Sequence, residues 1–347
     1  MASVFHLAKP FLFALDPERA HDLALLALGA AAATPLKSFF SLPHCPREVM
    51  GLPFPNPVGI AAGFDKAGKH TLGLGLLGAG FVEVGTLTLR PQKGHPRPRL
   101  FRLEKDQALI NRMGFNNPGV RQAARDLKKS RYPGMVGVSL GPGKDTEATE
   151  VLFELRLDLE AVREVADFAV VNISSPNTPG LRALIHPERL APLVRGMKKT
   201  QEQIFQDFGK RIPLAFKISP DASDADIAAA ANVLIQEGAD GIVAVNTTTA
   251  RAPHLRSPQA KESGGLSGAP LKPRALDVLS LISKMAKGRL GIISTGGVMT
   301  PEDIFERLKM GADLVEVYTG LVYAGPALVR EGLKLLEKNA LEANSLL

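Results

Sequence analysis

Short apolar stretches rich in β-forming residues recur eight times along most of the chain and alternate with segments of helical character. In chain order they read VGIAA, FVEVG, MVGVSL, FAVVNIS, IPLAFKIS, DGIVAVN, LGIIST and DLVEVYTG. Near-continuous apolar strands are typical of parallel sheets that are covered on both faces. Eight such units predict an α/β fold, a closed (β/α)8 or TIM barrel, over residues 58–340. A doubly wound open sheet is the alternative that the pattern leaves open.

One motif favours that alternative. The stretch GLGLLG, Gly73 to Gly78, fits the G-x-G-x-x-G fingerprint of dinucleotide-binding folds. The fingerprint must follow a strand and open a helix, whereas this stretch precedes the strand FVEVG. We therefore interpret these glycines as small residues that allow close helix packing.

Residues 1–42 are predicted to form a small helical extension that packs on the barrel or lies on a membrane. Asp16 can cap a helix that begins at Pro17, and the chain is then almost entirely apolar from Leu23 to Ala33. That run is shorter than the roughly 18 to 20 residues that span a bilayer. Acidic residues near its start argue against a secretory signal. Five prolines within residues 43–57 mark a linker to the barrel.

Cysteine and histidine usage limits the class of protein. Cys45 is the only cysteine, so no intrachain disulfide forms, and one thiol in 347 residues fits a reducing compartment. Glycosylation sequons at Asn172 and Asn246 are then coincidental. The seven histidines have no metal-ligand spacing, so we expect no metal.

Basic residues are concentrated between Arg90 and Arg131, where 12 Lys and Arg face three acids within a chain of net charge +7. A basic patch is the electrostatic footprint of nucleic-acid binding. Few aromatic residues interleave these charges, and no nucleic-acid motif accompanies them. The segment therefore favours an anionic small ligand or an anionic membrane surface as partner, rather than nucleic acid.

Polar residues follow each apolar run, at the end of the barrel where catalytic groups lie. Lys217 is the most informative, because it stands inside the run LAFKIS, and an unpaired ammonium is costly to bury. Gly296 and Gly297 offer backbone amides where barrels often hold a phosphate. The group at the strand ends comprises Asp65, Lys66, Thr86, Ser139, Asn172, Lys217, Asn246, Thr247, Gly296, Gly297, Tyr318 and Thr319.

Four asparagines near these ends, Asn111, Asn172, Asn177 and Asn246, each present a donor pair and an acceptor. Such side chains suit a ligand that itself has amide edges, such as a pyrimidine. Asparagine also caps turns through its own backbone, and that purely structural alternative stays open for each of them.

Several motifs in one order resemble those of the quinone-dependent, membrane-associated class of dihydroorotate dehydrogenases. The resemblance spans the chain from DPERAH to YTG. Its motifs are AAGFDK at 61–66, INRMGFNNPG at 110–119, VNISSPNTPGLR at 171–182, FKISPD at 216–221, NTT at 246–248, GGLSG at 264–268 and YTG at 318–320. It implies an FMN-containing barrel that oxidises (S)-dihydroorotate to orotate in pyrimidine synthesis.

The resemblance also assigns roles. Ser175 is implied to be the catalytic base, with Lys66 as a further catalytic residue and Lys217 stabilising negative charge on the reduced flavin. Implied substrate-binding residues are Lys66, Asn111, Arg112, Met113, Gly114, Phe115, Asn172, Asn177, Asn246 and Thr247. Implied flavin-binding residues are Ala62, Gly63, Phe64, Asp65, Lys66, Thr86, Ser139, Asn172, Lys217, Gly268, Gly297, Tyr318 and Thr319.

The class of acceptor follows from the same resemblance. The soluble class of the family uses a cysteine base, whereas Cys45 lies in the linker. The quinone-dependent class implies that residues 1–42 form a tunnel, with His21 and Arg102 as polar quinone-site residues. A helix cap or a surface salt bridge is the alternative for either. The implied location is that of a peripheral protein on the cytoplasmic face of the inner cell membrane.

Two positions depart from the family pattern. Ser139 stands where an asparagine that contacts flavin is usual, and Val245 stands where a threonine is usual.

Two other functions are compatible with parts of the sequence. A Schiff-base aldolase would use a strand-borne lysine, Lys217, and a phosphate site without a cofactor. A non-catalytic membrane or nucleic-acid binder would use the basic segment.

Overall fold

A computed structural model describes residues 2–34, 42–177 and 180–344. Residues 35–41 of the predicted helical extension lie outside the described residues, as do Thr178 and Pro179 of the VNISSPNTPGLR motif. The α-helices in the described ranges are α1 (Ala2–Ala14), α2 (Pro17–Ala33), α3 (Thr71–Gly75), α4 (Val120–Leu127), α5 (Val151–Val162), α6 (Pro187–Phe208), α7 (Asp224–Gln236), α8 (Lys272–Ala286), α9 (Pro301–Lys309), α10 (Thr319–Ala324) and α11 (Leu328–Asn344).

The strands divide among three sheets. In chain order they are β1 (Arg47–Val49), β2 (Leu52–Phe54), β3 (Val58–Ile60), β4 (Phe81–Leu87), β5 (Leu100–Leu103), β6 (Ala108–Asn111), β7 (Met135–Leu140), β8 (Phe168–Asn172), β9 (Leu214–Lys217), β10 (Gly241–Ala244), β11 (Gly265–Gly268), β12 (Gly291–Ser294) and β13 (Leu314–Val317).

Eight parallel strands close into a barrel in the order β10, β12, β13, β3, β4, β7, β8, β9. Seven of them lie within one apolar run each, and β4 extends two residues beyond the run FVEVG. Almost all of their residues are buried, because one face packs into the barrel and the other beneath the surrounding helices. The closed barrel confirms the predicted fold and excludes the open sheet.

A β-hairpin closes the amino-terminal end of the barrel. Strands β1 and β2 pair antiparallel within residues 43–57, for which the prolines predicted only a linker. Phe54, at the end of β2, packs against Phe81 and Phe168, the first residues of β4 and β8, with ring centroids 5.4 and 5.7 Å away. These buried rings fill the barrel interior at that end, so its polar chemistry is confined to the other.

The N-terminal helices are attached through close packing and a buried ion pair. The Asp16 side chain accepts hydrogen bonds from the first backbone amides of α2, as the sequence predicted. A Cβ on Gly73 of α3 would lie 2.9 Å from the backbone of Leu28, so the GLGLLG stretch serves helix packing. Glu18 of α2 pairs with Arg99, just before β5, at 2.7 Å. None of the described helices is both long and apolar enough to cross a bilayer.

Candidate active site

A cleft with about 1060 Å³ of empty space opens at the carboxyl ends of the barrel strands. The antiparallel sheet of β5, β6 and β11 contributes to its rim, since Asn111 ends β6 and Ser267 belongs to β11. Predicted catalytic and substrate residues that line it are Lys66, Asn111, Met113, Gly114, Phe115, Asn172, Ser175, Asn177, Asn246 and Thr247. Predicted cofactor residues that line it are Ala62, Gly63, Lys66, Thr86, Asn172, Lys217, Gly297, Tyr318 and Thr319.

The Arg112 side chain points away from the cleft, although the sequence predicted it among the substrate-binding residues. Its guanidinium forms an ion pair with Glu262 at 2.7 Å and lies over the ring of Phe101, 4.5 Å from the centroid. Arg112 therefore braces the loop that carries Met113 to Phe115 and does not itself line the cleft.

Four predicted cofactor residues, Phe64, Asp65, Ser139 and Gly268, are not among the residues that line the cleft. The carboxylate of Asp65 is occupied by the backbone amides of residues 67–70, at 2.6 to 3.2 Å, so it organises the loop after β3. Ser139 is buried and hydrogen-bonded to the Thr86 hydroxyl at 3.0 Å. These residues support the cleft wall from behind.

The amide side chain of Asn172 is held in one orientation. Its Nδ2 donates to Thr86 Oγ1 at 2.9 Å, and its Oδ1 accepts from the backbone and hydroxyl of Ser174, both at 3.2 Å. Asn246 donates to Asn172 Oδ1 at 3.3 Å and to Ser174 Oγ at 3.0 Å. Because each donor has a partner, these amides are fixed before any ligand binds.

Ser175 lines the cleft and is only 4% exposed. Its hydroxyl oxygen accepts a hydrogen bond from the backbone amide of Asn177 at 3.2 Å. The Asn177 side chain in turn donates to Asn111 Oδ1 at 3.5 Å, which links the loop after β8 to strand β6. The hydroxyl of Ser175 is thus presented to the cleft by a turn that its own oxygen stabilises.

Lys66 supplies an unpaired cation at the cleft wall. Burial lowers the pKa of its ammonium to about 8, although the negative charges of Glu18 and Asp22 oppose the shift. Within the described ranges its ammonium has no ion-pair partner. A partly buried cation without an ion-pair partner marks a site that an anionic ligand can complete.

Lys217 differs from Lys66 because it already has partners. Its ammonium lies 3.5 Å from Glu83 Oε2 on β4 and 3.5 Å from Glu316 Oε2 on β13. Burial alone would lower its pKa, but the two carboxyl groups outweigh burial and raise the pKa above its usual value. Lys217 is therefore a permanent cation at the floor of the cleft.

Backbone amides after β12 form a cradle that could hold an anionic group. Gly296 and Gly297 have φ values of 95° and 73°, in the left-handed region that favours glycine. A Cβ on Gly297 would lie 2.5 Å from the backbone of Lys272. Beneath them the buried Arg307 guanidinium donates to the Gly296 carbonyl at 2.5 Å and to Ser294 Oγ at 2.8 Å. Burial lowers the pKa of Arg307 to about 10, so at neutral pH it adds positive charge behind the cradle.

His21 lies on the α2 side of the cleft wall rather than in the cleft. Its ring contacts Phe64 edge to face, with centroids 5.0 Å apart, and Phe64 contacts Tyr318 in the same way at 5.1 Å. Burial, and then the positive charge of Lys66, lowers the pKa of His21 to about 3. His21 is therefore neutral at physiological pH and one aromatic ring away from a cleft residue.

Arg102 lies on the same side but caps helix α1. Its guanidinium donates to the carbonyls of Phe13 at 2.9 Å and Leu12 at 3.5 Å, and it lies 4.3 Å from the centroid of the Phe13 ring. A cation at a helix C-terminus satisfies carbonyls that have no partner within the helix. Neither His21 nor Arg102 lines the cleft, and the structure does not bring their side chains into contact.

Three charged residues of the site, Glu83, Glu316 and Arg307, were not predicted from the sequence. Glu83 and Glu316 stand in the middle of the apolar runs FVEVG and DLVEVYTG, and an acid within a buried strand is a signal that could have found them. Arg307 stands among other charges on an amphipathic helix and gives no such signal. Among the described residues, no group of three His, Cys, Asp or Glu could hold a metal ion.

Known proteins resemble this chain over nearly its whole length. The family model described as dihydroorotate dehydrogenase matches residues 45–339. A relative named dihydroorotate dehydrogenase (quinone) from Halorhodospira halophila is 45% identical over 341 residues, covering 97% of this chain and 99% of the relative. A relative of the same name from Methylococcus capsulatus is 46% identical over 330 residues, covering 94% of this chain and 96% of the relative.

Solved structures agree with the sequence relatives. A DHODH from Eimeria tenella in complex with ferulenol superposes with a TM-score of 0.87 at 35% identity, covering 95% of this chain and 93% of that one. The ligand-free form from the same organism superposes with a TM-score of 0.86 at 38% identity, covering 94% of this chain and 96% of that one. The share of this chain left uncovered, 5 to 6%, is shorter than residues 2–33, so the likeness extends beyond the barrel into the N-terminal helices.

Proposed function

Because this chain belongs to the dihydroorotate dehydrogenase family, we propose that it oxidises (S)-dihydroorotate with FMN as hydride acceptor and a membrane quinone as final acceptor. The chain is an oxidoreductase of the quinone-dependent kind, and it forms orotate in pyrimidine biosynthesis. The cleft carries the proposal: it joins a buried serine, an unpaired lysine and a set of fixed amides at the mouth of the barrel.

The substrate occupies the part of the cleft lined by asparagines. Asn111, Asn172, Asn177 and Asn246 present amide donors and acceptors to a ring that has amide edges of its own. Lys66 supplies the positive charge that the carboxylate of the substrate requires. Since Asn172 and Asn246 are already hydrogen-bonded to their neighbours, little side-chain entropy is lost when the substrate binds.

Ser175 accepts the proton from C5 of the substrate as the C6 hydride departs, its own hydroxyl proton passes to a water molecule at the mouth of the cleft, and C5 and C6 become doubly bonded. When bound, FMN would accept that hydride. A serine hydroxyl is a weak base, so the site must favour proton transfer by excluding water and fixing geometry. The 4% exposure of Ser175 and its hydrogen bond from Asn177 meet both requirements.

The flavin site consists of the remaining cleft residues. The amides of Gly296 and Gly297, with Arg307 behind them, suit the phosphate of FMN, and a side chain at Gly297 would collide with Lys272. Lys217 places a permanent cation where negative charge accumulates on reduced flavin. Thr86 and Asn172 provide fixed polar groups between these two regions.

The N-terminal helices hold the protein on the membrane surface and admit the quinone. Leu7, Phe11 and Leu26 are 76, 78 and 62% exposed, which is costly for large apolar side chains unless lipid covers them. His21 and Arg102 provide polar groups on the route from that surface to Phe64 and the cleft. With a net charge of +7, the protein is attracted to the anionic cytoplasmic face of the inner membrane as a peripheral protein.

An absorption spectrum tests the catalytic proposal. The purified protein should be yellow and release FMN on denaturation, anaerobic dihydroorotate should bleach it, and a quinone should restore the colour. Covalent trapping of Lys217 by borohydride with an aldehyde substrate would instead identify a Schiff-base aldolase. The structure argues against that chemistry, because a Schiff-base lysine must lose its proton and Lys217 is held charged by two carboxyl groups.

Vesicle binding tests the membrane proposal. Phe11→Glu should weaken binding to anionic vesicles, measured by sedimentation, by about 30-fold, because about 2 kcal/mol of apolar burial is lost. Phe153→Glu is the matched control, since Phe153 is also 61% exposed but belongs to α5 of the barrel. Equal losses in both variants, or in neither, would contradict a membrane face on α1.

A further inference from the structure

Three ionisable side chains share one layer of the barrel interior beneath the cleft. Glu83 on β4, Lys217 on β9 and Glu316 on β13 point inward, and each carboxyl group has one oxygen 3.5 Å from the Lys217 ammonium. Both glutamates are fully buried and Lys217 is 5% exposed. Only Lys217 and Glu316 also line the cleft.

The charges in this layer do not balance if all three groups are ionised. The remaining oxygens, Oε1 of Glu83 and Oε1 of Glu316, are buried without a hydrogen-bond partner in the described structure. The layer below is apolar, with the rings of Phe81 and Phe168 packed against Phe54. A second buried negative charge would have neither water nor a second cation to compensate it.

No other ionisable group adjoins Glu316 from its neighbouring strands. Strands β3 and β12, which flank β13, have the sequences VGI and GIIS. Tyr318 lies two residues beyond Glu316, just after β13 ends, and burial raises its pKa to about 12, so it stays neutral. Burial, and then the negative charge of Glu83, raises the pKa of Glu316 well above its usual value, against the opposing effect of Lys217.

We propose that the Glu83 and Glu316 pair keeps one proton at neutral pH, so that the cluster with Lys217 carries no net charge. The pair then positions Lys217 at the cleft floor. Both carboxyl groups contact the ammonium, but only one of them carries a negative charge. Loss of the shared proton adds one negative charge beneath the cleft and disfavours a reduced, anionic flavin above it. This last consequence rests on the proposed function, whereas the protonation state does not.

Infrared difference spectroscopy tests the protonation directly, because a carboxylic acid and a carboxylate absorb at separate frequencies. At neutral pH, Glu316→Gln should remove one carboxylic-acid band and leave the carboxylate intensity unchanged. If both glutamates are ionised in the wild type, the variant will lose carboxylate intensity instead, and that result overturns the proposal. Circular dichroism verifies that the variant is folded.

Asp158 on α5 provides an internal control. Both of its oxygens are buried without a partner, and burial followed by the charge of Glu154 raises its pKa to about 8. Its acid band is common to the wild type and Glu316→Gln and cancels in their difference, while Asp158→Asn identifies it. If Glu316→Gln does not fold, a pH titration of Asp158→Asn decides the matter. An acid band should persist at neutral pH in that variant, and its absence refutes the proposal.

The midpoint potential of the bound flavin tests the positioning role. Above the pH at which the pair ionises, the wild-type potential should become more negative with pH than the potential of Glu316→Gln. If the potentials of the two proteins change with pH in parallel, the pair does not affect the flavin, although the infrared result would stand. A protein that binds no flavin would refute the proposed function instead, and the two failures are therefore distinguishable.

Discussion

The cleft and the N-terminal helices differ in which side chains they expose to solvent: the cleft buries polar side chains, and the helices expose apolar ones. In the cleft, polar side chains such as Asn172 and Ser175 are about 95% buried and hydrogen-bonded. On α1, the apolar side chains of Leu7 and Phe11 are more than 75% exposed. The buried polar side chains are satisfied by one another and are therefore already oriented for the proposed substrate. The exposed apolar side chains cost free energy in water, which supports the proposed membrane face.

The two regions nevertheless meet at a defined place. The buried ion pair of Glu18 with Arg99 fixes α2 beside the barrel, and His21 contacts Phe64 on the loop that also carries Lys66. We therefore propose that the substrate is oxidised in the cleft and that the quinone is reduced at the helices, with Phe64 between the two places. Variants that affect one half-reaction and spare the other test this division.

The largest expected effect is on the proton-removing residue. Ser175→Ala should slow flavin reduction by dihydroorotate by about 10² to 10⁴, the usual contribution of a general base. The same variant, reduced chemically, should be reoxidised by quinone at the wild-type rate. Ser174→Ala is the matched control, because Ser174 is also buried but supports Asn172 and Asn246 without lining the cleft. Normal turnover in Ser175→Ala would rule out its role as the base.

The permanent cation at the cleft floor has the next largest effect. Lys217→Met should slow flavin reduction by about 10², as expected when a charge that stabilises a developing anion is removed. It should also cost about 3 kcal/mol of stability, because Glu83 loses its partner. The double variant Lys217→Met/Glu83→Gln should recover stability without recovering the rate. Recovery of both would mean that Lys217 serves the fold alone.

The charge of Lys66 predicts a pH dependence confined to the cleft. Its folded-state pKa of about 8 lies below the usual value, so the ammonium loses its proton as pH rises through 8. Orotate binding should weaken by on the order of tenfold per pH unit above that point. Because the neutral form is the one that burial favours, stability should not fall in this range. Lys66→Arg should abolish the pH dependence, and titrations of orotate against the flavin spectrum measure it.

The smallest effect is expected in the helices. Arg102→Ala should raise the quinone KM by about tenfold, since a charged hydrogen-bonding group is lost, and leave flavin reduction unchanged. Arg97→Ala should change neither, because its ion pair with Glu18 is largely exposed on the arginine side. An effect of Arg102→Ala on flavin reduction would break the division between the two regions.

The barrel was predictable from the sequence because each of its strands is buried on both faces. Every such strand appears in the sequence as an apolar run, and each of the eight runs contains a strand of the barrel. Helix α2 was predicted from Asp16 and Pro17, whereas α1 was covered only by the general prediction of a helical extension over residues 1–42. The hairpin of β1 and β2 was missed because its prolines suggested a linker, although Phe54 is fully buried.

Site residues were predictable from the sequence where their position at the end of a strand places them at the cleft. They were less predictable where their environment depends on partners that are distant in the chain. Residues at strand ends, such as Asn172 and Lys217, were predicted to face the cleft and do so. Arg112 was predicted beside them, but its partner Glu262 is 150 residues away in the chain. The charge balance around Lys217 likewise depends on strands that only closure of the barrel brings together.

The central claim is that the two half-reactions belong to separate regions, and a truncation that begins at residue 44 tests it most directly. Stopped-flow measurements should compare the truncated and intact chains, with retained flavin as the control for folding. We predict that dihydroorotate bleaches the truncated protein at the wild-type rate and that quinone restores its colour at least tenfold more slowly than in the intact chain. If the folded, yellow truncation reduces quinone as fast as the intact chain, the helices only anchor the protein, and the division is wrong.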